Sequence, residues 1–150
     1  MDVAAALWGG IVGAIVMATV YVGFLGLRLT RLDLVRFEGG LLARDSTPMV
    51  YIYGAFVHLA LGAVLALGYR WIFEQIHSAS YVGWGALVGL AHGVLLVLLL
   101  PLLGMANRNV RAEAEPEPGL LGRRYGRFTP VSLVVAYVVF GVWVGAFLLP

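Results

Sequence analysis

The polar residues of this chain are bunched, and what separates the bunches is almost wholly apolar. Four apolar runs can be drawn, at about residues 3–29, 49–73, 81–103 and 129–149. None alternates polar with apolar positions as a half-buried strand or a porin strand does. Each matches or exceeds the roughly 20 residues that, at about 1.5 Å each, cross a hydrocarbon core about 30 Å thick. No water is available at that depth to satisfy backbone amides and carbonyls, so each run is expected to be helical. The pattern predicts an all-α integral membrane four-helix bundle, with residues 1–150 forming one transmembrane domain.

The breaks between runs fix an orientation. Nine of the ten arginines lie in two of them: Arg28, Arg31, Arg36 and Arg44 after the first run, and Arg108, Arg111, Arg123, Arg124 and Arg127 after the third. The end of the second run and the break after it carry Arg70, Glu74 and His77, the last read as interfacial, and the N-terminus carries only Asp2. Arginine-rich loops stay in the cytoplasm. Segments 28–48 and 104–128 are therefore expected to be cytoplasmic and both termini outside, in the inner (plasma) membrane of a prokaryote. The formal charge of +2 comes from these loops, so it reads as an orientation signal and not as a nucleic-acid surface. With 61% hydrophobic and 12% charged residues, the main partner expected is the lipid bilayer. The first run lacks a basic segment before it and is long for a signal peptide, so it reads as a retained span.

Two segments resemble each other. Gly40-Leu41-Leu42-Ala43-Arg44 precedes Thr47-Pro48, and Gly119-Leu120-Leu121-Gly122-Arg123 precedes Thr129-Pro130. In each, threonine is expected to cap a helix whose first residue is proline. Trp8-Gly9 with Val12-Gly13 matches Trp84-Gly85 with Val88-Gly89, and His58 with Gly62 matches Tyr137 with Gly141. The chain thus reads as two related helical hairpins, 1–75 and 80–150, about a pseudo-twofold along the membrane normal. Convergence of glycine-rich spans is the competing account. Segment 29–44 mixes arginine with large apolar residues and is expected to lie at the membrane interface. Segment 112–119 is acidic, broken by proline and expected to be mobile.

Small residues recur along the spans, with Gly13, Gly54, Gly62, Gly89, Gly141 and Gly145 the expected points of close helix approach. The few polar residues within spans agree in depth. Counted from the arginine-rich ends, His58, His92, Tyr137, Thr19 and Tyr21 lie eight to ten residues in, which is about 12–15 Å. Three readings fit such a layer. It is a structural hydrogen-bond cluster, a ligand or cofactor site, or a path for protons or substrate. In the second, His58 and His92 would ligate a divalent metal or clamp a haem, imidazole being a common ligand for both. The methionines Met17, Met49 and Met105 form no convincing thioether set.

What is missing excludes several chemistries. Without cysteine there is no disulfide exchange or thiolate metal site, and without lysine no Schiff base. Every Asp and Glu falls in a loop or at a helix end, so a proton exchanger built on an embedded glutamate is not expected. The Gly-rich first span, the step His58-Leu59-Ala60-Leu61-Gly62 and the runs Gly89-Leu90-Ala91-His92 and Pro101-Leu102-Leu103-Gly104-Met105 resemble small four-span bacterial and archaeal membrane proteins known only as domains of unknown function. The resemblance implies the four-span fold and no activity. The expected role is an auxiliary subunit or small-ligand-binding component, in a homo-oligomer or a larger membrane complex. A small oligomeric transporter or channel, and a haem- or metal-bearing electron-transfer protein, are the alternatives.

Overall fold

The computed structural model describes residues 2–44, 47–76 and 80–148. His77 and the final two residues of the chain lie outside them, as does the side chain of Thr47. Six α-helices are formed: α1 (Val3–Gly26), α2 (Leu34–Gly39), α3 (Thr47–Gln75), α4 (Tyr81–Ala106), α5 (Arg108–Arg111) and α6 (Thr129–Phe147). A 3-10 helix, Leu120–Tyr125, precedes α6, and no strand occurs among the described residues. Helices α1, α3, α4 and α6 are the four apolar runs, and all are long and apolar enough to cross a membrane. The chain is an all-helical membrane bundle of four long helices, as its hydrophobic pattern predicts.

Glycine decides which helices meet. Lipid tails give no hydrophobic drive between helices, so close backbone contact must supply the attraction. Gly10 of α1 packs on the carbonyl of Gly62 in α3, and the Ala14 methyl fills the space over Gly62. In the other hairpin Gly85 and Gly141 each face the other's carbonyl, and Gly89 faces that of Tyr137. A methyl group at any of these glycines would collide with backbone, which cannot move aside as a side chain can. The hairpins join along α1 and α6, where Gly13 packs on the rings of Phe140 and Trp143. Gly145 meets the carbonyl of Tyr81 at the start of α4. Gly54 does not serve a neighbouring span. It receives the Val35 carbonyl of α2.

The arginine-rich end is a folded cap. In segment 29–44 the short helix α2 packs on the first turns of α3, Gly39 against Val50 and Val35 against Gly54. Asp33 caps α2 by accepting from the Arg36 amide at 3.0 Å, and it also accepts from the Tyr51 hydroxyl at 2.8 Å. Asn107, fully buried, ties the two arginine-rich segments together. Its amide donates to the Phe37 carbonyl at 2.7 Å while its oxygen caps α5. Segment 112–119 is tied down at two points, although Glu113, Ala114, Pro116 and Glu117 are exposed: Glu115 pairs with Arg36 at 2.7 Å, and the Tyr125 hydroxyl donates to the Pro116 carbonyl at 2.7 Å. Thr129 is not a helix cap either. It lies inside α6, and its hydroxyl bonds that of Thr30 at 2.9 Å across the two segments.

At the opposite end Trp8 and Trp84 are exposed in the first two turns of α1 and α4, and Trp71 in the last two turns of α3. Indole settles where headgroups begin, with an apolar body and one polar N–H. Arginine thus marks one rim of the bundle and tryptophan the other.

Candidate functional site

Helix α2 carries into the bundle the group that the span sequences lack. The Glu38 carboxylate lies 2.9 Å from Nδ1 of His58, and both residues are buried, at 7% and 6% exposure. His58 stands eleven residues after Thr47 in α3, about 16 Å along the helix axis. The expectation that every Asp and Glu keeps to a loop or a helix end is therefore corrected: Glu38 is buried inside the bundle. Glu38 belongs to a connecting segment by sequence, yet the docking of α2 on Gly54 and Val50 aims it at mid-bundle.

The other imidazole nitrogen defines the pair's chemistry. Nε2 of His58 lies 3.0 Å from the Ala14 carbonyl of α1. A carbonyl only accepts, so Nε2 must carry hydrogen and donate. That leaves Nδ1 and the carboxylate to share one proton, as carboxylic acid beside neutral imidazole or as carboxylate beside imidazolium. Both forms are neutral overall. Losing the proton would leave a carboxylate facing a lone pair in a dry interior, an arrangement with no compensating partner. Burial pushes the Glu38 carboxyl above the ordinary carboxylate range, while the hydrogen bond and charge of His58 draw it part of the way back.

Beside the pair lies a cavity of about 20 Å³ lined by Glu38, His58, Met17, Gly62 and Tyr137 among others. A space of about 10–15 Å³ holds one water; the walls here are mostly apolar, with Glu38, His58 and Tyr137 the polar members. Tyr137 also packs its ring on His92, with centroids 4.3 Å apart. Nδ1 of His92 is 3.2 Å from the Tyr69 hydroxyl. Side chains of α3 and α6 lean toward the arginine-rich end and those of α4 lean away, which lets Tyr69 and His92 meet from different turns. Tyr137 thus stands between two groups, sharing a cavity wall with the Glu38–His58 pair and stacking on the His92 that bonds Tyr69. Phe73, stacked on Tyr81 at 5.1 Å, closes the Tyr69 end.

The five residues picked out by depth fare differently. His58, His92 and Tyr137 come together as described. Tyr21 is buried beside Thr30, nearer the arginine-rich end. Thr19 is exposed, and its hydroxyl donates to the Ile15 carbonyl of its own helix at 2.8 Å. That local bond satisfies a hydroxyl in lipid without a partner helix. Thr19 does line an apolar groove of about 420 Å³ between α1 and α3 that has His58 in its wall. As metal ligands the two histidines are divided. His58 has both nitrogens engaged and His92 holds Tyr69, and among the described residues no three His, Cys, Asp or Glu side chains gather to hold an ion.

Glu38 and Tyr69 are the site residues that reading by depth misses. Tyr69 stands near the tryptophan end of α3 and reaches the layer only through its long side chain. The one sequence hint for Glu38 is its position in an apolar stretch with Phe37, Gly39 and Gly40 beside it. No protein-family model, curated protein or solved structure matches the chain.

Proposed function

We propose that this is a small integral membrane component whose working centre is the proton-holding Glu38–His58 pair, with Tyr137 sharing a wall of the cavity beside it. In this reading the pair takes up and releases a proton as α2 moves off and onto α3. The single observation behind it is the Ala14 carbonyl, which obliges the pair to keep one shared proton. Proton transfer needs donor and acceptor at hydrogen-bond distance or bridged by one water, and the 2.9 Å contact and the water-sized cavity supply both. The protein would act as a proton-linked transporter or proton-sensing subunit of a membrane complex. The test is reconstitution into phosphatidylcholine vesicles holding a pH-sensitive dye. After an imposed pH step, wild-type vesicles should equilibrate faster than those with Glu38→Gln or His58→Ala. Wild-type vesicles as tight as protein-free ones would reduce the pair to a structural contact.

A second reading, small-ligand binding, draws on the groove between α1 and α3. Its walls are apolar, it faces the lipid, and His58 and Thr19 are its polar members. It suits a lipophilic molecule with one hydrogen-bonding head.

The orientation belongs to this proposal: arginine-rich end in the cytoplasm of a prokaryotic inner membrane, both termini outside. It rests on nine arginines at one rim and tryptophans at the other. Internal duplication belongs here as well. Gly10 meets Gly62 as Gly85 meets Gly141, and Ala14 meets His58 as Gly89 meets Tyr137. This correspondence is one residue along α1 from the Gly9 and Gly13 match of the sequences, and it supports a common hairpin ancestor. Assembly with further copies or other subunits fits the exposed leucines of α4, such as Leu87, Leu95 and Leu98.

A further inference from the structure

At the arginine-rich rim, away from the Glu38–His58 pair, three guanidinium groups converge. Arg44, Arg108 and Arg111 line one cleft of about 420 Å³, with Ala112 the remaining wall. All three are exposed, and none makes an ion pair or side-chain hydrogen bond with another described residue. Four described acidic residues of this rim are committed elsewhere, Glu38 to His58, Asp33 to Tyr51, Glu115 to Arg36 and Glu117 to Arg124, and Glu113 is not among the residues that line the cleft. Three like charges facing one space repel each other unless an anion joins them.

The cleft is held in shape by its frame. The Arg108 amide donates to the Gly40 carbonyl at 2.7 Å, and Asn107 fixes both the start of α5 and the Phe37 carbonyl. Arg44 and the α5 arginines are thereby brought together from segments more than sixty residues apart in sequence. A planar guanidinium donates two parallel bonds to phosphate oxygens, and three of them fit the charge and donor demand of a phosphate group.

Position selects the source of that phosphate. Arg44 stands just before α3 and Arg108 just after α4, where both helices leave the apolar zone. Below them on the same helix ends and connection, Leu42, Met49, Leu102 and Met105 are exposed. Guanidinium above and bare apolar side chains beneath match a phospholipid, with its phosphate at the rim and its acyl chains along the helices. We propose that Arg44, Arg108 and Arg111 form a binding site for the phosphate of an anionic phospholipid headgroup.

The purified protein in neutral detergent would be titrated with short-chain phosphatidylglycerol, phosphatidylcholine of the same chain length, and inorganic phosphate. Binding would be read by native mass spectrometry and by thermal shift. Phosphatidylglycerol should bind more tightly than phosphatidylcholine. Each of Arg44→Gln, Arg108→Gln and Arg111→Gln should weaken it about fivefold, and the triple variant about a hundredfold. Arg28→Gln and Arg127→Gln change the net charge equally at the same rim and should leave binding unaltered. Folding of each variant is checked by circular dichroism, and the triple Arg→Lys variant, which keeps charge, should recover part of the affinity. A triple Gln variant that binds like wild type, or control variants that weaken binding as much, would overturn the site. Inorganic phosphate that displaces the lipid at equal concentration would overturn the lipid source and point to a soluble phosphate ester.

Discussion

Glu38 and His58 show how one side chain can change what a membrane segment is able to do. Removing one partner of a buried ion pair commonly costs about 3–5 kcal/mol, because the survivor is left charged and unpaired. His58→Ala should therefore destabilise the bundle by about that amount, more than Glu38→Gln, which keeps a hydrogen-bonding group of the same shape. Thermal unfolding in detergent separates the two. The pH dependence has a definite sign. Folded, Glu38 and His58 together keep one proton that the unfolded chain gives up through the ordinary imidazole range, about 6.5, so the pair's contribution is lost as pH rises above about 6.5. Wild-type stability should fall with rising pH across that window while Glu38→Gln, in which only His58 is left to titrate, should not fall; parallel profiles would contradict the assignment. Thr19→Val should shift stability by no more than about 0.5 kcal/mol, since its hydroxyl faces lipid and bonds its own helix. Depth along a helix could be counted from the residue pattern, and it selected His58, His92 and Tyr137. The direction in which Thr19 faces could not be, because α1 is apolar on every side and has no polar face to set its rotation.

Among the elements, α2 has the largest consequence for its length. Six residues seat a carboxylate in the bundle because two glycine contacts let α2 and α3 touch backbone to backbone. Gly54→Leu would put a side chain into the Val35 carbonyl and should lift α2 away. The expected result is loss of the Glu38–His58 contact with the spans still helical, seen as unchanged far-ultraviolet circular dichroism and faster amide exchange in segment 33–40. Gly141→Leu should instead part α4 from α6 and cost the whole fold. Gly68→Ala and Gly83→Ala meet nothing within 4 Å and should be neutral or stabilising, by up to about 1 kcal/mol of helix propensity. From the sequence these glycines look alike. Only the neighbour across the gap separates a contact point from a spare position, and that neighbour is remote in the chain.

For the molecule as a whole, the bundle presents two unlike rims to the two faces of a membrane. The chain has no cysteine, so single cysteines report the orientation cleanly. With Ala4→Cys and Ala114→Cys at opposite rims, a membrane-impermeant maleimide should label the first in intact cells and the second only after lysis. The reverse pattern would invert the proposed topology. The number of long helices, their approximate ends and the gathering of arginine at one rim were readable from residue order alone, because burial in lipid demands long apolar runs with internally satisfied backbones, a constraint that acts locally along the chain. The folded cap, the seat of α2 and the meetings of Glu38 with His58 and of Tyr137 with His92 arise from contacts between residues far apart in sequence. Those contacts depend on which glycines face each other and how each helix is rotated, and uniformly apolar helices carry no record of rotation until they pack.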